Sequence, residues 1–345
     1  MTEWLAGNRI RGTNAERTTS TGIGNTAGGW KEIGRKTVGT AGKTIDVSGL
    51  DNKRYYMILT DAQVTGGTMQ MNHRIGTGSY ENSGYSHRRS DNGGTDATVN
   101  TANEMAMENL TSAYPRFTVS YLSNTAGKEK LNIGTLVADD SGAPERSQCV
   151  NKWTGTTDVN QIQAVTEATG NFAVGAEIVI LGWDEDDTHT DNFWEELASA
   201  DVTSSNIDVS FTAKKYLMVQ YQCELAVYNN NNFGIRFNGG TSGYSRRFSQ
   251  NGVAISPANN QDKISFIYSG NKKIFGTAFI INNASKNKLL MCEQVGEENT
   301  AGGAYAPFRW EFAGKSTLQD QITSIQLLDA VLPFISGHIK VWGHD

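Results

Sequence analysis

The chain carries the decapeptide GYSHRRSDNG at residues 84–93 and repeats it, 159 positions later, as GYSRRFSQNG at residues 243–252. Seven of the ten positions are identical. Each copy ends in Asn-Gly, a dipeptide typical of tight turns between strands. Self-similarity at a fixed distance indicates that a structural unit has been duplicated.

Four further pairs of segments match in the same order and at nearly the same distance: Trp30–Ile33 with Trp194–Leu197, Lys53–Ile58 with Lys214–Val219, Asn124–Leu131 with Asn282–Leu289, and Phe172–Gly175 with Phe334–Gly337. The small drifts in distance are those that insertions and deletions in loops produce. We interpret the pattern as a tandem duplication of a unit of roughly 155 residues.

The duplication divides the chain into four parts: an N-terminal arm of residues 1–29, a first repeat of residues 30–187, a linker of residues 188–192 and a second repeat of residues 193–345. The arm is rich in Gly, Thr and Asn and poor in apolar residues. Such a segment cannot bury enough surface to fold alone. We therefore expect an extended arm followed by two domains.

An acidic stretch, Asp184–Asp191, lies at the junction of the two repeats. Its carboxylates suggest a Ca²⁺ site as one hypothesis, but the order of ligands and the distal Glu of an EF-hand loop are absent. A solvated linker is the simpler interpretation.

Each repeat has the pattern of an all-β domain. Short apolar, β-branched and aromatic runs alternate with Gly, Asn and Asp turns. The predicted strands include Tyr55–Thr60, Phe117–Leu122 and Glu177–Gly182 in the first repeat, and Tyr216–Tyr221 and His338–Gly343 in the second. About eight short strands per repeat predict a β-sandwich, jelly-roll-like in organisation. The predicted fold is thus two tandem duplicated β-sandwich domains with an extended N-terminal arm.

Two segments compete for helix. Thr101–Leu110 is compatible with one short helix capped by Thr101, and Ser316–Ala330 places apolar residues close to helical spacing. The counterpart of the second segment, Val159–Thr166, alternates instead. We therefore predict a strand within Ser316–Ala330.

Composition excludes several classes of protein. The net charge of −6 makes wrapping around nucleic acid by counterion release improbable. No apolar run approaches the ~18–20 residues that span a bilayer, and the first residues lack the pattern of a secretory signal. Three cysteines without paired spacing favour neither a disulfide framework nor a zinc site.

The search for catalytic motifs finds none. Five histidines lie in no metal-ligand spacing, and no nucleophile elbow, phosphate loop or dinucleotide fingerprint is present. A pair of carboxylates of the glycosidase type is not marked by any residue, although any two acids can meet in a fold. We expect no enzymatic activity, no metal site and no cofactor.

The repeated turn admits two interpretations. In the functional one, Tyr85 and Tyr244 stack on a ligand while Arg88 and Arg247 bind anions or sugars. In the structural one, each tyrosine packs inside a hairpin and each arginine pairs with a nearby oxygen. The duplication favours the structural interpretation, because both repeats share the fold.

The N-terminal arm contains candidate assembly residues. Trp4, Leu5 and Ile10 are isolated apolar anchors, and Arg9 and Arg11 add donors for charge-assisted hydrogen bonds. A tryptophan in an arm without a core of its own is unusual unless the arm docks onto a partner.

Several stretches resemble tandem-repeat structural proteins of bacteriophages. They are Trp4–Thr13, Trp30–Arg35, Arg236–Asn238 followed by Gly243–Arg247, and the repeat endings Phe172–Trp183 and Phe334–Gly343. The resemblance spans nearly the whole chain and implies a virion component on the capsid or tail surface, made in many copies. It assigns no functional residue.

We therefore expect a non-enzymatic structural component of a bacteriophage virion, made in the host cytoplasm. Capsid decoration or a fibre- or spike-type protein is favoured, and the partners are other virion proteins and copies of itself. One alternative is a double-jelly-roll major capsid protein, which differs in copy number. Another is a glycan-binding adhesion module that uses the repeated Tyr/Arg turns on a host surface. Neither nucleic acid nor membrane is an expected partner, and a depolymerase is the least supported alternative.

Overall fold

The computed structural model describes residues 29–185, 187, 189, 191–202, 206–225, 233–266, 271–298, 306–329 and 334–345. Over these residues the chain is all-β, with no helix. It follows that no helix in the described ranges is long and apolar enough to cross a membrane. The proposed assembly residues Trp4–Arg11 lie outside the described residues.

The first repeat contributes fourteen strands. They are β1 (Lys31–Thr37), β2 (Thr44–Ser48), β3 (Tyr55–Ala62), β4 (Val64–Thr65), β5 (Met71–Gly76), β6 (Tyr85–Asp91), β7 (Ala97–Ala102), β8 (Met105–Ala106), β9 (Arg116–Ser123), β10 (Lys130–Ala138), β11 (Glu145–Trp153), β12 (Gln161–Thr166), β13 (Asn171–Phe172) and β14 (Glu177–Trp183).

The second repeat shows twelve strands in its described ranges. They are β15 (Glu195–Asp201), β16 (Asn206–Ser210), β17 (Tyr216–Leu225), β18 (Gly234–Phe237), β19 (Tyr244–Gln250), β20 (Val253–Gln261), β21 (Ile264–Ser265), β22 (Asn271–Ile281), β23 (Lys288–Glu298), β24 (Phe308–Ser316), β25 (Ser324–Leu328) and β26 (Phe334–His344).

The two repeats have one topology. In the first, an eight-stranded sheet runs β1-β14-β3-β9-β10-β11-β6-β7 and a four-stranded sheet runs β2-β12-β5-β8. In the second, the corresponding orders are β15-β26-β17-β22-β23-β24-β19-β20 and β16-β25-β18-β21. The orders coincide strand for strand once β4 and β13, a two-stranded ribbon of the first repeat, are set aside. The predicted duplicated β-sandwich is confirmed, and β3 and β17 are equivalent strands, as the repeated sequence requires.

Each sandwich buries a core between its two sheets. In the first repeat one apolar cluster joins the large sheet to the small one, and its members include Tyr56, Ile58, Ile178 and Ile180 from the large sheet and Ile45, Ile75 and Ile162 from the small one. Because neighbouring residues of a strand point to opposite faces, the residues that alternate with these in β3 and β14, Tyr55 and Trp183 among them, lie on the face turned away from the small sheet. We call this the outer face.

The edge strand β20 shows how sequence protects an open sheet edge. It ends the eight-stranded order of the second repeat and contains Pro257. A proline has no backbone donor, so it is tolerated at an edge but not in a central strand. Its counterpart β7 is also largely exposed and polar.

The helix alternatives are resolved as strands. Thr101–Leu110 contains the end of β7 and the short strand β8 and no helix, so the possible helix there is wrong. In Ser316–Ala330, β25 pairs with β16 and with β18, which confirms the predicted strand.

The chain forms two compact units. The first comprises the described residues up to Asp91, Thr95–Ala138 and Ser147–Glu195, and the second comprises Asn92–Gly94, Asp139–Arg146 and Glu196–Asp345. The first unit carries the surface described next.

A candidate docking surface on the first repeat

The two repeated tyrosines are structural. Tyr85 and Tyr244 each expose only 1% of their surface. The Tyr85 hydroxyl accepts a hydrogen bond from the Ile75 amide at 3.0 Å and lies 3.1 Å from the carbonyl of the same residue. The Tyr244 hydroxyl does the same with Phe237, at 2.8 and 3.2 Å. The interpretation in which these rings stack on a ligand is therefore wrong, because both faces of each ring lie inside the sandwich.

The Asn-Gly pair that ends each decapeptide shapes the backbone. Asn92 and Gly93, like Asn251 and Gly252, all have positive φ, the left-handed conformation that a tight hairpin turn requires at both central residues. The Asn92 side-chain oxygen accepts the Arg146 amide at 3.0 Å. The Asn251 oxygen accepts an equivalent bond from Arg309 at 2.9 Å. The repeated sequence thus encodes a strand, a buried tyrosine and a turn.

The two repeated arginines occupy equivalent register positions but differ in environment. Arg88 lies opposite Val150, and Arg247 lies opposite Ala313. Arg88 is exposed, whereas the Arg247 Nε donates to the Pro144 carbonyl at 2.9 Å within the second compact unit. They do not present one common anion site in the two repeats.

A second repeated motif is a buried polar clamp. The Asn124 side chain donates to the Tyr56 hydroxyl at 3.1 Å and accepts the Val159 amide at 2.8 Å. Its counterpart Asn282 accepts the Ile322 amide at 2.6 Å. Buried polar groups with full sets of partners fix the relative position of distant strands. The repeated Asn-containing segment is therefore part of the fold.

The acidic stretch Asp184–Asp191 forms ion pairs with lysine and arginine side chains. Arg54 pairs with Glu185 at 2.6 Å and Lys31 pairs with Asp191 at 3.2 Å. Lys53 pairs with Asp187. Three carboxylates of the stretch, those of Glu185, Asp187 and Asp191, are thus engaged with basic side chains of the first repeat. Among the residues that the structure describes, no group of three or more His, Cys, Asp or Glu side chains could hold a metal ion.

Glu177, the first residue of β14, is also engaged. Arg35 donates to it at 3.0 Å and the Thr37 hydroxyl donates at 2.6 Å. These two bonds join Glu177 to the neighbouring strand β1 and give it a structural role.

The notable feature of the first repeat is an inverted strand. Along the first four residues of β10, the polar side chains of Lys130 and Asn132 are 1% and 2% exposed, while the apolar side chains of Leu131 and Ile133 are 59% and 63% exposed. The usual alternation places apolar side chains inward. Here strand β10 turns two aliphatic side chains to solvent.

The inversion has a physical cause. The Lys130 ammonium donates to the Thr125 carbonyl at 2.7 Å. The Asn132 amide donates to the Tyr121 carbonyl at 3.1 Å and its oxygen accepts from Asn151 at 2.9 Å. These bonds offset the cost of burying polar groups and hold the register in which Leu131 and Ile133 face outward.

Aromatic rings surround the exposed aliphatic pair. Tyr121 lies directly opposite Ile133, and Tyr55 lies opposite Trp183. The rings of Tyr55 and Trp183 stack at 5.1 Å with an interplanar angle of 15°. The ring centroid of Trp30 lies 6.1 Å from that of Tyr121 and 6.4 Å from that of Trp183, which it meets edge-on. Aromatic pairs of this geometry are mutually stabilising.

Together these side chains form an open pocket of about 310 Å³. Its lining residues are Trp30, Tyr55, Tyr56, Tyr121, Leu122, Ser123, Leu131, Ile133 and Trp183. We call this set the aromatic surface. Apart from the hydroxyl groups of Ser123 and the tyrosines, its side chains carry few polar atoms, so it suits apolar groups.

The equivalent positions of the second repeat are covered. By register, Tyr55 corresponds to Tyr216, Leu131 to Leu289 and Ile133 to Met291. Tyr216, Leu289 and Met291 are 0%, 2% and 4% exposed. The same face of one fold is therefore exposed in the first repeat and buried in the second.

Sequence reasoning missed the aromatic surface. Its residues come from strands far apart in the chain. Trp30, Tyr55 and Leu131 do lie in repeated segments, but the repetition indicated only a shared fold. One feature of the sequence could have pointed to it. The segment Lys130–Ile133 alternates polar and apolar residues, and it begins within the repeated segment Asn124–Leu131.

Comparisons with known proteins do not place the chain in a family. No family model matches it, and no curated protein sequence matches it. Among solved structures, domains LG4-5 of the mouse laminin alpha1 chain align with 12% identity over 92% of this chain and 91% of that chain, with a TM-score of 0.15. Human GIVD cytosolic phospholipase A2 aligns with 5% identity over 80% of this chain and 33% of that chain, with a TM-score of 0.13. At these TM-scores neither likeness informs function.

Proposed function

We propose that the protein is a non-enzymatic structural component of a bacteriophage virion, a capsid decoration or fibre- or spike-type surface protein that assembles through the aromatic surface of its first repeat. The observation that carries the proposal is the inverted strand β10. Its Leu131 and Ile133 are more than half exposed beside four aromatic rings. Contiguous exposed apolar surface of this kind marks an interaction site.

The surface has the composition of an interface core. Aromatic residues are enriched at the centres of protein interfaces, where they fill pockets and exclude water. Trp30, Tyr55, Tyr121 and Trp183 supply such a centre. A partner that inserts apolar side chains would remove both the aromatic and the aliphatic groups from water.

The charged groups of the first repeat support a structural rather than a catalytic role. Glu177 and the carboxylates of Glu185, Asp187 and Asp191 are held in ion pairs. His73 is fully buried and bonded to the Thr60 hydroxyl at 3.1 Å. A catalytic acid or base needs access to a substrate, which this histidine lacks.

Features of the sequence support the proposed place on a virion. The duplicated sandwich, the low content of charged residues and the resemblance to tandem-repeat phage proteins all suit a protein made in many copies that folds, assembles and persists. A double-jelly-roll major capsid protein is the alternative within this class, and it differs in stoichiometry.

A glycan-binding role has less support. The stacked pair of Tyr55 and Trp183 could receive a sugar ring, but the few polar atoms of the surface leave a sugar's hydroxyls without partners. Unpaired polar groups oppose binding. Apolar protein side chains therefore fit the surface better than a carbohydrate.

The test has two parts. Mass spectrometry of purified phage particles should detect the chain, and its copy number separates decoration from shell. Sedimentation velocity of the full-length protein should show self-association or binding to particles that Ile133→Glu abolishes. Val174→Glu is the matched control, because Val174 is 66% exposed in the same repeat and does not line the surface. Absence from particles, or equal effects of the two variants, would overturn the proposal.

A further inference from the structure

The aromatic surface is concave, so its occupant must protrude. A pocket of about 310 Å³ accepts one or two large side chains but does not complement its own shape. Two copies of the chain therefore do not close it by placing one surface against the other. An extended segment with a large aromatic anchor fits it better.

The chain supplies such a segment. Residues 1–28 precede Gly29, and they contain one tryptophan, Trp4, followed by Leu5 and Ile10. The other six tryptophans all lie in the described ranges. An indole followed by a leucine matches a pocket lined by aromatic rings and by Leu131 and Ile133.

The charges of the N-terminal segment and of the first repeat also favour docking. The stretch Asp184–Asp191 directly follows Trp183 and holds five carboxylates, of which three are paired with lysine or arginine. The segment Trp4–Arg11 carries Arg9 and Arg11 next to its apolar anchors. A basic segment complements an acidic stretch of sequence that follows a lining residue of its pocket.

The position of the segment on the chain indicates a neighbour's surface. The segment is joined to the body through Trp30, which itself lines the aromatic surface. Extended at about 3.3–3.6 Å per residue, the 26 residue-to-residue steps from Trp4 to Trp30 span up to about 90 Å. A small domain is about 30 Å across, so the segment can reach well beyond its own repeat.

We propose that residues Trp4–Arg11 of one copy of this chain dock in the aromatic surface of a second copy. The inference rests on the proposed function, because copies held side by side on a particle present each surface to a neighbour's arm. The contact is head-to-tail, so it links subunits into rings or open arrays.

The experiment is a complementation of full-length variants followed by sedimentation velocity. Trp4→Ala removes the anchor and keeps the surface; Ile133→Glu removes the surface and keeps the anchor. Each variant alone should show an apparent dissociation constant at least tenfold weaker than wild type. Their equimolar mixture should form a heterodimer and nothing larger, because one functional arm and one functional surface remain. Thr19→Ala and Val174→Glu are the matched controls and should associate like wild type.

The outcomes separate this inference from the proposed function. If Ile133→Glu abolishes association and Trp4→Ala leaves it unchanged, the surface docks another partner and the arm inference is wrong while the proposed function stands. A wild-type chain that stays monomeric, with the Trp4 fluorescence quenched by docking in its own surface, would overturn the second-copy assignment. A mixture that fails to form the heterodimer would also overturn it.

Discussion

Arg116 and Glu108 form an ion pair in which both side chains are completely buried. The guanidinium also donates to the Met69 carbonyl at 2.6 Å and to the Tyr114 carbonyl at 2.5 Å. The same Glu108 oxygen accepts the Met71 amide at 2.7 Å. The pair thus joins β9 to the small sheet of the first repeat.

In the second repeat, the position equivalent to Arg116 holds an uncharged residue. By register, Arg116 corresponds to Ile274, which is 2% exposed. The same alignment matches Glu108 with Ile267 in the sequence, a residue outside the described ranges. The position of the buried Arg116 is therefore held by a buried apolar side chain in the second repeat.

This relationship predicts a non-additive pair of mutations. Arg116→Ile alone should destabilise the first repeat by about 3–5 kcal/mol, because it leaves a carboxylate buried without its cation. The double variant Arg116→Ile/Glu108→Ile should lie within about 1–2 kcal/mol of wild type, since matched apolar residues replace buried pairs at little cost. Urea unfolding measures both.

The exposed pair of Lys152 and Glu129 is the control, and removing it should cost about 0–1 kcal/mol. Equal losses from Arg116→Ile and from the double variant would contradict the prediction.

The buried tyrosines predict matched effects in the two repeats. Tyr85→Phe and Tyr244→Phe each remove a hydroxyl bonded to a strand amide at 3.0 or 2.8 Å. Each should lower the stability of its repeat by about 1–3 kcal/mol, because a buried amide loses its acceptor. Differential scanning calorimetry checks the loss, and self-association of the folded variants should be unchanged. A loss of association at full stability would restore the ligand interpretation.

His73 predicts an acid-sensitive first repeat. Burial lowers its pKa from 6.5 to about 4, so between these values the unfolded chain binds a proton that the folded chain does not. Stability is therefore complete above about pH 6.5, falls as the pH drops, and stops falling below about pH 4. The loss attributable to this group is roughly 3 kcal/mol.

The second repeat offers the matched variant for His73. Its counterpart by register is Ile235. The variant His73→Ile should therefore weaken the pH dependence of the unfolding free energy between pH 4 and 6.5. The check is the difference between the unfolding free energies of wild type and variant across this range. A difference that does not change with pH would contradict the buried, neutral histidine.

Lys288 predicts a second interval, at alkaline pH, in which stability rises with pH. Its ammonium is buried and donates to the Lys286 carbonyl at 2.6 Å. Burial lowers its pKa from 10.5 to about 8. The cost of burying its charge is therefore fully present below pH 8 and is relieved as the pH rises towards 10.5.

The wild-type stability, measured relative to Lys288→Met by urea unfolding, should consequently rise between pH 8 and 10.5. Lys273→Met, which removes an exposed lysine, should show no such trend. A relative stability that falls over this interval would indicate a lysine stabilised in its charged form.

The sequence by itself determined the architecture of each repeat. The matching decapeptides at 84–93 and 243–252 revealed the duplication, and the Asn-Gly pairs in them placed the turns. Short apolar runs predicted β3 and β17, and the repeated segments Lys53–Ile58 and Lys214–Val219 predicted that the two strands are equivalent. These features are local, because turn conformation and strand periodicity depend on neighbouring residues.

The tertiary structure alone decided which side of a strand meets the core. The alternation of polar and apolar residues divides β10 into two faces but does not show which face meets the core. Apolar side chains usually face inward, but here Lys130 and Asn132 do so, because they bond to carbonyls on other segments. Trp30, Tyr55, Tyr121 and Trp183 become one surface only because the sheet order β1-β14-β3-β9-β10 brings distant strands together. Sheet order depends on contacts remote in sequence, so neither periodicity nor repeated motifs disclose such a surface.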